Sequence, residues 1–191
     1  MDLQKIILES IDQDTIKSIS YKTQTDTTSV ENIIKLGLPI MIGALGKNAS
    51  DKKGASDLSR ALETKHDGSL LETLGSLFGE NSDASADGLK ILDHIFGSKT
   101  EAAEVKLSKK TGVDINTIAK VLSFVAQIVL TNINKKKIKS GLNADGLTDL
   151  LTKQKTADGN PIMDIATQFL DSNKDGQIFD DLIRMFTKGR K

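Results

Sequence analysis

Two long apolar segments, at 33–45 and 119–130, stand out in a chain that is otherwise mostly amphipathic. Each is far shorter than the ~20 residues that a membrane-spanning helix needs. Their apolar side chains recur at helical spacing, so we expect two buried core helices, and interfacial or partner-binding helices are the alternative. A helix that is apolar on most of its faces needs neighbours on most of its faces. The pair therefore predicts a bundle of several helices with these two at its centre.

The two segments belong to a longer correspondence along the chain. The clearest matches lie 88 positions apart: Lys22-Thr23 with Lys110-Thr111, Asp26 with Asp114, Ile33-Ile34 with Val121-Leu122, and Ile40 with Ile128. In both copies a polar turn ends at an Asp that can cap the next helix. Weaker matches continue at offsets that rise to 91. The pattern predicts an internal duplication, and chance agreement between helical patterns is the alternative.

The predicted fold class is all-α, a compact multi-helix bundle built from two related helical halves. The halves span 1–97 and 98–191 and are expected to pack together as one unit. Helices are predicted at 2–9, 12–22, 27–48, 54–64, 69–78, 86–96, 99–110, 115–135, 144–153, 161–170 and 178–187. Strand alternation is not evident. Pro39 lies inside the third helix, where a missing N–H and a steric clash predict a kink or a break.

Composition excludes several classes of function. Lys plus Arg and Asp plus Glu both number 26, so no global field attracts nucleic acid or an anionic membrane. Cysteine is absent, which excludes disulfides, thiolate metal sites and cysteine nucleophiles. The first residues carry acids at Asp2 and Glu9 around a short apolar stretch. They predict an amphipathic helix and not a secretory signal, so we expect a cytoplasmic protein.

The segment from Asp171 to Asp181 resembles the first half of a helix-flanking calcium loop. Oxygen-bearing side chains occupy loop positions one, three and five, and Gly176 occupies position six. Position twelve, which supplies a bidentate Glu in an EF-hand, is Leu182. The candidate ligands are Asp171, Asn173, Asp175, the Gln177 carbonyl, and Asp180 or Asp181. They predict weak Ca²⁺ binding, and a well-capped turn without an ion is an equal alternative.

Neither histidine indicates a catalytic site. His66 precedes Ser69, but Ser69 with Glu72 three residues later is typical of a helix capping box. His94 lies near the end of a short amphipathic helix, without a second His or Cys at metal-ligand spacing. We therefore expect a protein that is not an enzyme, with no cofactor beyond possible Ca²⁺.

Lysine runs follow two predicted helix ends, at 135–139 and 188–191. Cations at a helix C-terminus interact favourably with the helix dipole, so solvated helix ends are expected. Contact with nucleic acid through Lys135 to Lys139 is the alternative. No helix-turn-helix signature or interleaved aromatic residue supports it.

Several short segments together resemble the YidB-like bacterial proteins, a family of unknown function. They are Leu38 to Leu45, His66 to Leu71, Gly88 to Gly97, Lys109 to Asp114 and Asp175 to Asp181. The resemblance covers nearly the whole chain, and none of its motifs is a catalytic signature. It implies a small all-helical bundle, a bacterial origin and no established activity.

The functional expectation is a non-enzymatic helical module that acts through protein–protein contacts. Its partner is an unknown protein or a second copy of itself. The alternative is a helical protein associated with nucleic acid through the local Lys patch.

Overall fold

The computed structural model describes residues 3–65, 78, 84–155 and 159–171. Its helices are α1 (Leu3–Ser10), α2 (Gln13–Thr23), α3 (Thr27–Asn48), α4 (Lys52–Lys65), α5 (Ala84–Phe96), α6 (Thr100–Thr111), α7 (Ile115–Lys139), α8 (Ala144–Thr152) and α9 (Ile162–Asp171), with a 3₁₀ turn at Gly97–Lys99. Within the described residues the extended pairing is a single bridge between Lys155 and Pro161. The predicted all-α class is confirmed. The helices predicted at 69–78 and 178–187 lie outside the described residues, apart from Phe78.

Short polar side chains set where four of the helices begin. Asp12, Asp26, Asp114 and Asn143 each accept a hydrogen bond from the backbone N–H three residues later, at 2.8 to 3.0 Å. Each bond satisfies one of the N–H groups that a helix leaves without an internal partner. The hydrogen bonds from Thr15, Ser29 and Thr117 lower the pKa values of the three Asp carboxyl groups, because they favour the charged form.

α3 and α7 pack against each other at the centre of the bundle. Six residues on the predicted apolar faces are each 3% exposed or less, as expected: Ile33, Ile34, Ile40, Val121, Leu122 and Ile128. By length and composition both helices could cross a membrane, but 78% and 72% of their most apolar windows are buried inside the protein. Their neighbours thus supply the apolar surroundings that the sequence requires.

α3 continues through Pro39 without interruption, so the predicted break does not occur. Pro39 is buried, as are Gly37 and Gly43 on either side of it. Packing around Pro39 compensates for the hydrogen bond that Pro removes. The prediction of a break considered only the local sequence and did not include this packing.

Glycines at two helix–helix contacts, one on α3 and one on α5, let the neighbouring helices approach closely. α9 packs against α3 at Gly43, where a Cβ atom would lie 2.6 Å from the carbonyl oxygen of Ile162. α5 packs against α7 through Gly88, where a Cβ atom would lie 2.5 Å from the carbonyl oxygen of Ser123. α9 belongs to the second predicted half and packs on the first, and α5 does the reverse. The described helices of the two halves are therefore interleaved.

Candidate functional site

A cleft of about 1240 Å³ opens between the C-terminal end of α3, α4, α5 and α7. Its apolar lining includes Ala44, Leu45, Leu58, Ala61, Ile91, Ile95, Phe96, Leu130 and Leu170. Its charged lining includes Lys47, Asp51, Lys53, Asp57, Asp87, Lys90, His94 and Lys99. The apolar groups are buried or half-buried, whereas the charged groups are exposed at the edges.

Hydrogen bonds at the end of α3 position two walls of the cleft. The side-chain amide of Asn48 donates to the carbonyl oxygens of His94 and Ile95, at 3.2 and 2.9 Å. It thereby caps the C-terminus of α5 from a different helix. Asp51 accepts a hydrogen bond from the backbone N–H of Gly54 at 2.8 Å and starts α4. The end of α3 and the segment that joins it to α4 thus contribute hydrogen bonds to both of these walls.

The far end of α4 is tied to α7 by an ion pair. The ammonium group of Lys137 lies 2.5 Å from Glu63 Oε1, and only 9% of the Lys137 side chain is exposed. The hydrogen bond and positive charge of Lys137 hold the pKa of Glu63 below its usual value. The predicted solvated helix end is therefore wrong for Lys137. α7 also continues to Lys139, four residues beyond the predicted end.

Two of the acidic groups that line the cleft form ion pairs, one with another lining residue and one with Arg60, which is not part of the lining. Lys90 lies 3.2 Å from Asp87 on the same helix. Asp57 lies 3.7 Å from Arg60, one turn along α4. His94 is exposed at the edge of the cleft, in agreement with its predicted helix-end position. The described charged edge is thus a mixture of both signs.

Glu104 on α6 is a half-buried carboxyl that the sequence did not single out. Burial raises its pKa, and the negative charges of Asp93 and Glu101 raise it further. Asp93 lies on α5, whereas Glu101 and Glu104 lie on α6. Because their proximity depends on how α5 packs on α6, no local motif could have revealed it.

The predicted calcium loop begins where the description of α9 ends. Asp171 is the last residue of that helix, while Asn173, Asp175, Gln177, Asp180 and Asp181 lie outside the described residues. His66 and Ser69 also lie outside them. Within the described ranges no group of three His, Cys, Asp or Glu side chains could hold a metal ion.

α9 itself is fixed by a lysine on α6. The ammonium group of Lys106 donates to the carbonyl oxygen of Phe169 and lies 5.3 Å from the centre of the Phe169 ring. A cation near the last carbonyls of a helix is favoured by the helix dipole and by the ring. The end of α9, which leads into the candidate loop, is therefore held against the bundle.

The lysines of the 135–139 run do not form one exposed patch. Lys135 and Lys139 are exposed and Lys136 is half-buried, whereas Lys137 points into the bundle. The apolar side chain of Ile138, between Lys137 and Lys139, is 66% exposed. The described geometry thus lacks the continuous basic surface that contacts to successive phosphates require.

The described part of the chain therefore defines an all-helical bundle with an apolar cleft and no described metal cluster. The model of a family described as "Bacterial protein of unknown function (DUF937)" matches residues 5–136, from α1 through most of α7. The chain belongs to this family, and the resemblance to YidB-like bacterial proteins is consistent with it. Comparisons with curated proteins and with solved structures find no match.

Proposed function

We propose that the protein is a non-enzymatic binding module whose cleft accepts an amphipathic helix of a partner protein. The observation that carries the proposal is the cleft between α3, α4, α5 and α7, with its apolar lining and charged edges. An apolar groove bordered by polar side chains is the usual receptor for the apolar face of a helix.

The size of the cleft favours a helix over a small molecule. Its volume of about 1240 Å³ exceeds the roughly 300–1,000 Å³ that is typical of small-molecule pockets. The lining side chains come from both walls, with Leu58 on α4 and Ile91 on α5. An entering helix would present apolar residues at i, i+3 or i+4, and i+7 to these walls. The mixed charges at the edges fit a partner helix that carries both signs.

A matched set of variants tests the proposal. Leu58→Glu and Ile91→Glu place a charge on opposite walls, and Ile138→Glu places the same charge on an exposed position outside the cleft lining. The full chain and each variant would be used to capture proteins from a native bacterial lysate after far-UV circular dichroism confirms their helix content. Chemical cross-linking to a residue beside the cleft would then identify the bound segment.

We expect the control variant to retain the proteins that the unmodified chain captures and both cleft variants to lose them. The cross-linked segment should be an amphipathic helix. The proposal fails if the cleft variants capture the same proteins, if nothing is captured, or if the cross-linked segment lacks apolar residues at helical spacing.

Association with nucleic acid has less support, because Lys137 is directed into the bundle towards Glu63. Mobility-shift assays with duplex DNA and single-stranded RNA at low salt should show no shift. A shift that weakens steeply with added salt would favour this alternative instead.

The Asp171 to Asp181 segment supports a second proposal, weak Ca²⁺ binding. α9 is helical up to Asp171, as the entering helix of a calcium loop is. The missing bidentate Glu at position twelve limits the expected affinity to a dissociation constant on the order of 10⁻⁴ M or weaker.

A further inference from the structure

The turns before α3 and α7 have the same set of hydrogen bonds at equivalent positions. Before α3, Ser20 Oγ donates to the carbonyl oxygen of Thr25, Thr23 Oγ1 donates to that of Ile19, and the backbone N–H of Ser29 donates to Asp26 Oδ1. Before α7, the equivalent bonds run from Ser108 to Val113, from Thr111 to Leu107, and from Thr117 to Asp114. Each residue of the second turn lies 88 positions after its counterpart in the first. Both turns also place one residue in the left-handed region, Gln24 at φ 55° and Gly112 at φ 74°. Glycine adopts this conformation readily and Gln does not, so Gln24 is held there by its surroundings.

The equivalence continues along the central helices. Each residue from 24 to 51 can be paired with the residue 88 positions later, from 112 to 139. In 24 of these 28 pairs the two residues have the same degree of burial: buried, half-buried or exposed. One exception is Pro39, whose equivalent is Gln127. Common turn chemistry explains similar caps but does not explain burial that stays in step for about six helical turns.

The packing of the helices is reciprocal as well. α2 packs against α3 and also against α7, and α6 packs against α7 and also against α3. The helix that follows each central helix crosses to the other one: α8 packs against α3, and α4 packs against α7. Exchanging the two sets of helices leaves this list unchanged, as a two-fold axis between α3 and α7 requires.

Equivalent positions also border equivalent grooves. Asn48, Asp57 and Ala61 line the cleft at the end of α3. Their equivalents at offsets of 88 and 89, Lys136, Gly146 and Leu150, line a groove of about 500 Å³ at the end of α7. Each central helix therefore ends beside a groove that it forms with the next helix.

From these observations we infer that residues 13–51 and 101–139 are two copies of one helix–turn–helix unit, related by an approximate two-fold axis. The apolar face of each central helix then fits a second copy of its own unit, and the chain is a covalently linked pseudo-dimer. This inference is independent of what the cleft binds.

At two positions the second copy has a charged residue where the first copy has a buried apolar one. Glu104 occupies the position equivalent to the buried Ile16, and Lys137 the position equivalent to the buried Ala49. This equivalence accounts for the raised pKa of Glu104, because its position faces the interior of the bundle. It also accounts for a lysine side chain directed towards Glu63 instead of solvent.

A transplant of one turn into the other copy tests the inference. In the full chain, residues 20–29 would be replaced by the sequence of 108–117. The matched control receives the sequence of 109–118 at the same place, which is nearly the same composition shifted by one residue. Thermal melting and far-UV circular dichroism would be measured for both, together with the single variant Gln24→Gly.

We expect the in-register transplant to melt within about 2 °C of the unmodified chain or above it, because it keeps the cap and brings Gly to the left-handed position. The shifted control displaces the cap and puts Val at that position, so its melting temperature should fall by about 4 °C or more. Gln24→Gly should raise the melting temperature. A transplant that melts as low as the control, or a Gln24→Gly variant that melts lower than the unmodified chain, would overturn the inference.

Discussion

Substituting Gly43 by Ala should destabilise the protein although alanine is the better helix former. In a helix interior the Gly→Ala change alone stabilises by about 1 kcal/mol. At Gly43, however, a Cβ atom would lie 2.6 Å from the carbonyl oxygen of Ile162 and closer still to the Cβ atom of Ala166. Carbon atoms in contact prefer a separation of about 3.5–4.0 Å, so α9 must move away from α3 by roughly 1 Å.

The size of the destabilisation depends on which atoms of α9 the new methyl group meets. The atoms in the way are backbone and Cβ atoms, which no side-chain rotation removes. Overpacking of this kind costs about 1–3 kcal/mol and occasionally more. After the helix-propensity gain of about 1 kcal/mol is subtracted, the net loss should be between about 0 and 2 kcal/mol, or up to roughly 8 °C in melting temperature for a chain of this size.

Gly37→Ala is the matched control on the same helix. A Cβ atom there would lie 2.7 Å from Leu122 Cδ2, the far end of a flexible side chain that can rotate away. Its net effect should therefore lie near zero. Thermal and urea unfolding of both variants, with far-UV circular dichroism as the readout, would compare them directly.

The comparison between the two variants is decisive. If Gly43→Ala unfolds at the same urea concentration as Gly37→Ala, or at a higher one, the close approach of α9 to α3 does not limit this position. The reasoning from helix contact would then be refuted.

Further predictions concern the core, two carboxyl groups and the candidate ion site. Leu122→Ala should cost about 2–5 kcal/mol in urea unfolding, because its side chain is fully buried between the central helices; a loss below about 1 kcal/mol would contradict that placement. Glu104→Gln should raise the melting temperature at pH 7, where burial penalises the carboxylate, and the gain should disappear below about pH 4.5, where both states are protonated; a gain that is independent of pH would count against the desolvated carboxylate. For Glu63 the sign is opposite: its pKa is lowered in the folded protein, so its stabilisation is present above pH 4.5 and is lost as the pH falls through the folded value. Glu63→Gln should therefore weaken the acid dependence of unfolding, and an unchanged profile would argue against the pair with Lys137. Finally, ~10 mM Ca²⁺ should raise the melting temperature of the unmodified chain and not that of Asp175→Ala, and calorimetry without heat would leave the loop as a capped turn.

Much of the fold could be predicted from local patterns. The Asp26 and Asp114 caps, the two ends of α3 and the apolar positions of both central helices were all evident from residue type and spacing. These features depend on interactions within a few residues of each other, which a sequence displays directly.

The candidate site depended on contacts between distant residues. Lys137 is a terminal lysine by its local pattern, yet it is buried because α4 brings Glu63 beside it from 74 positions away. Similarly, the position of one cleft wall depends on Asn48 on α3, which caps α5 by donating to the carbonyl oxygens of His94 and Ile95. These residues lie 46 and 47 positions later in the chain. Within the described residues, the sequence alone determined which segments are helices and which faces of the central helices are buried. Only the tertiary structure decided which charges lie in the interior and where the apolar cleft opens, because desolvation and groove shape depend on how several helices pack together.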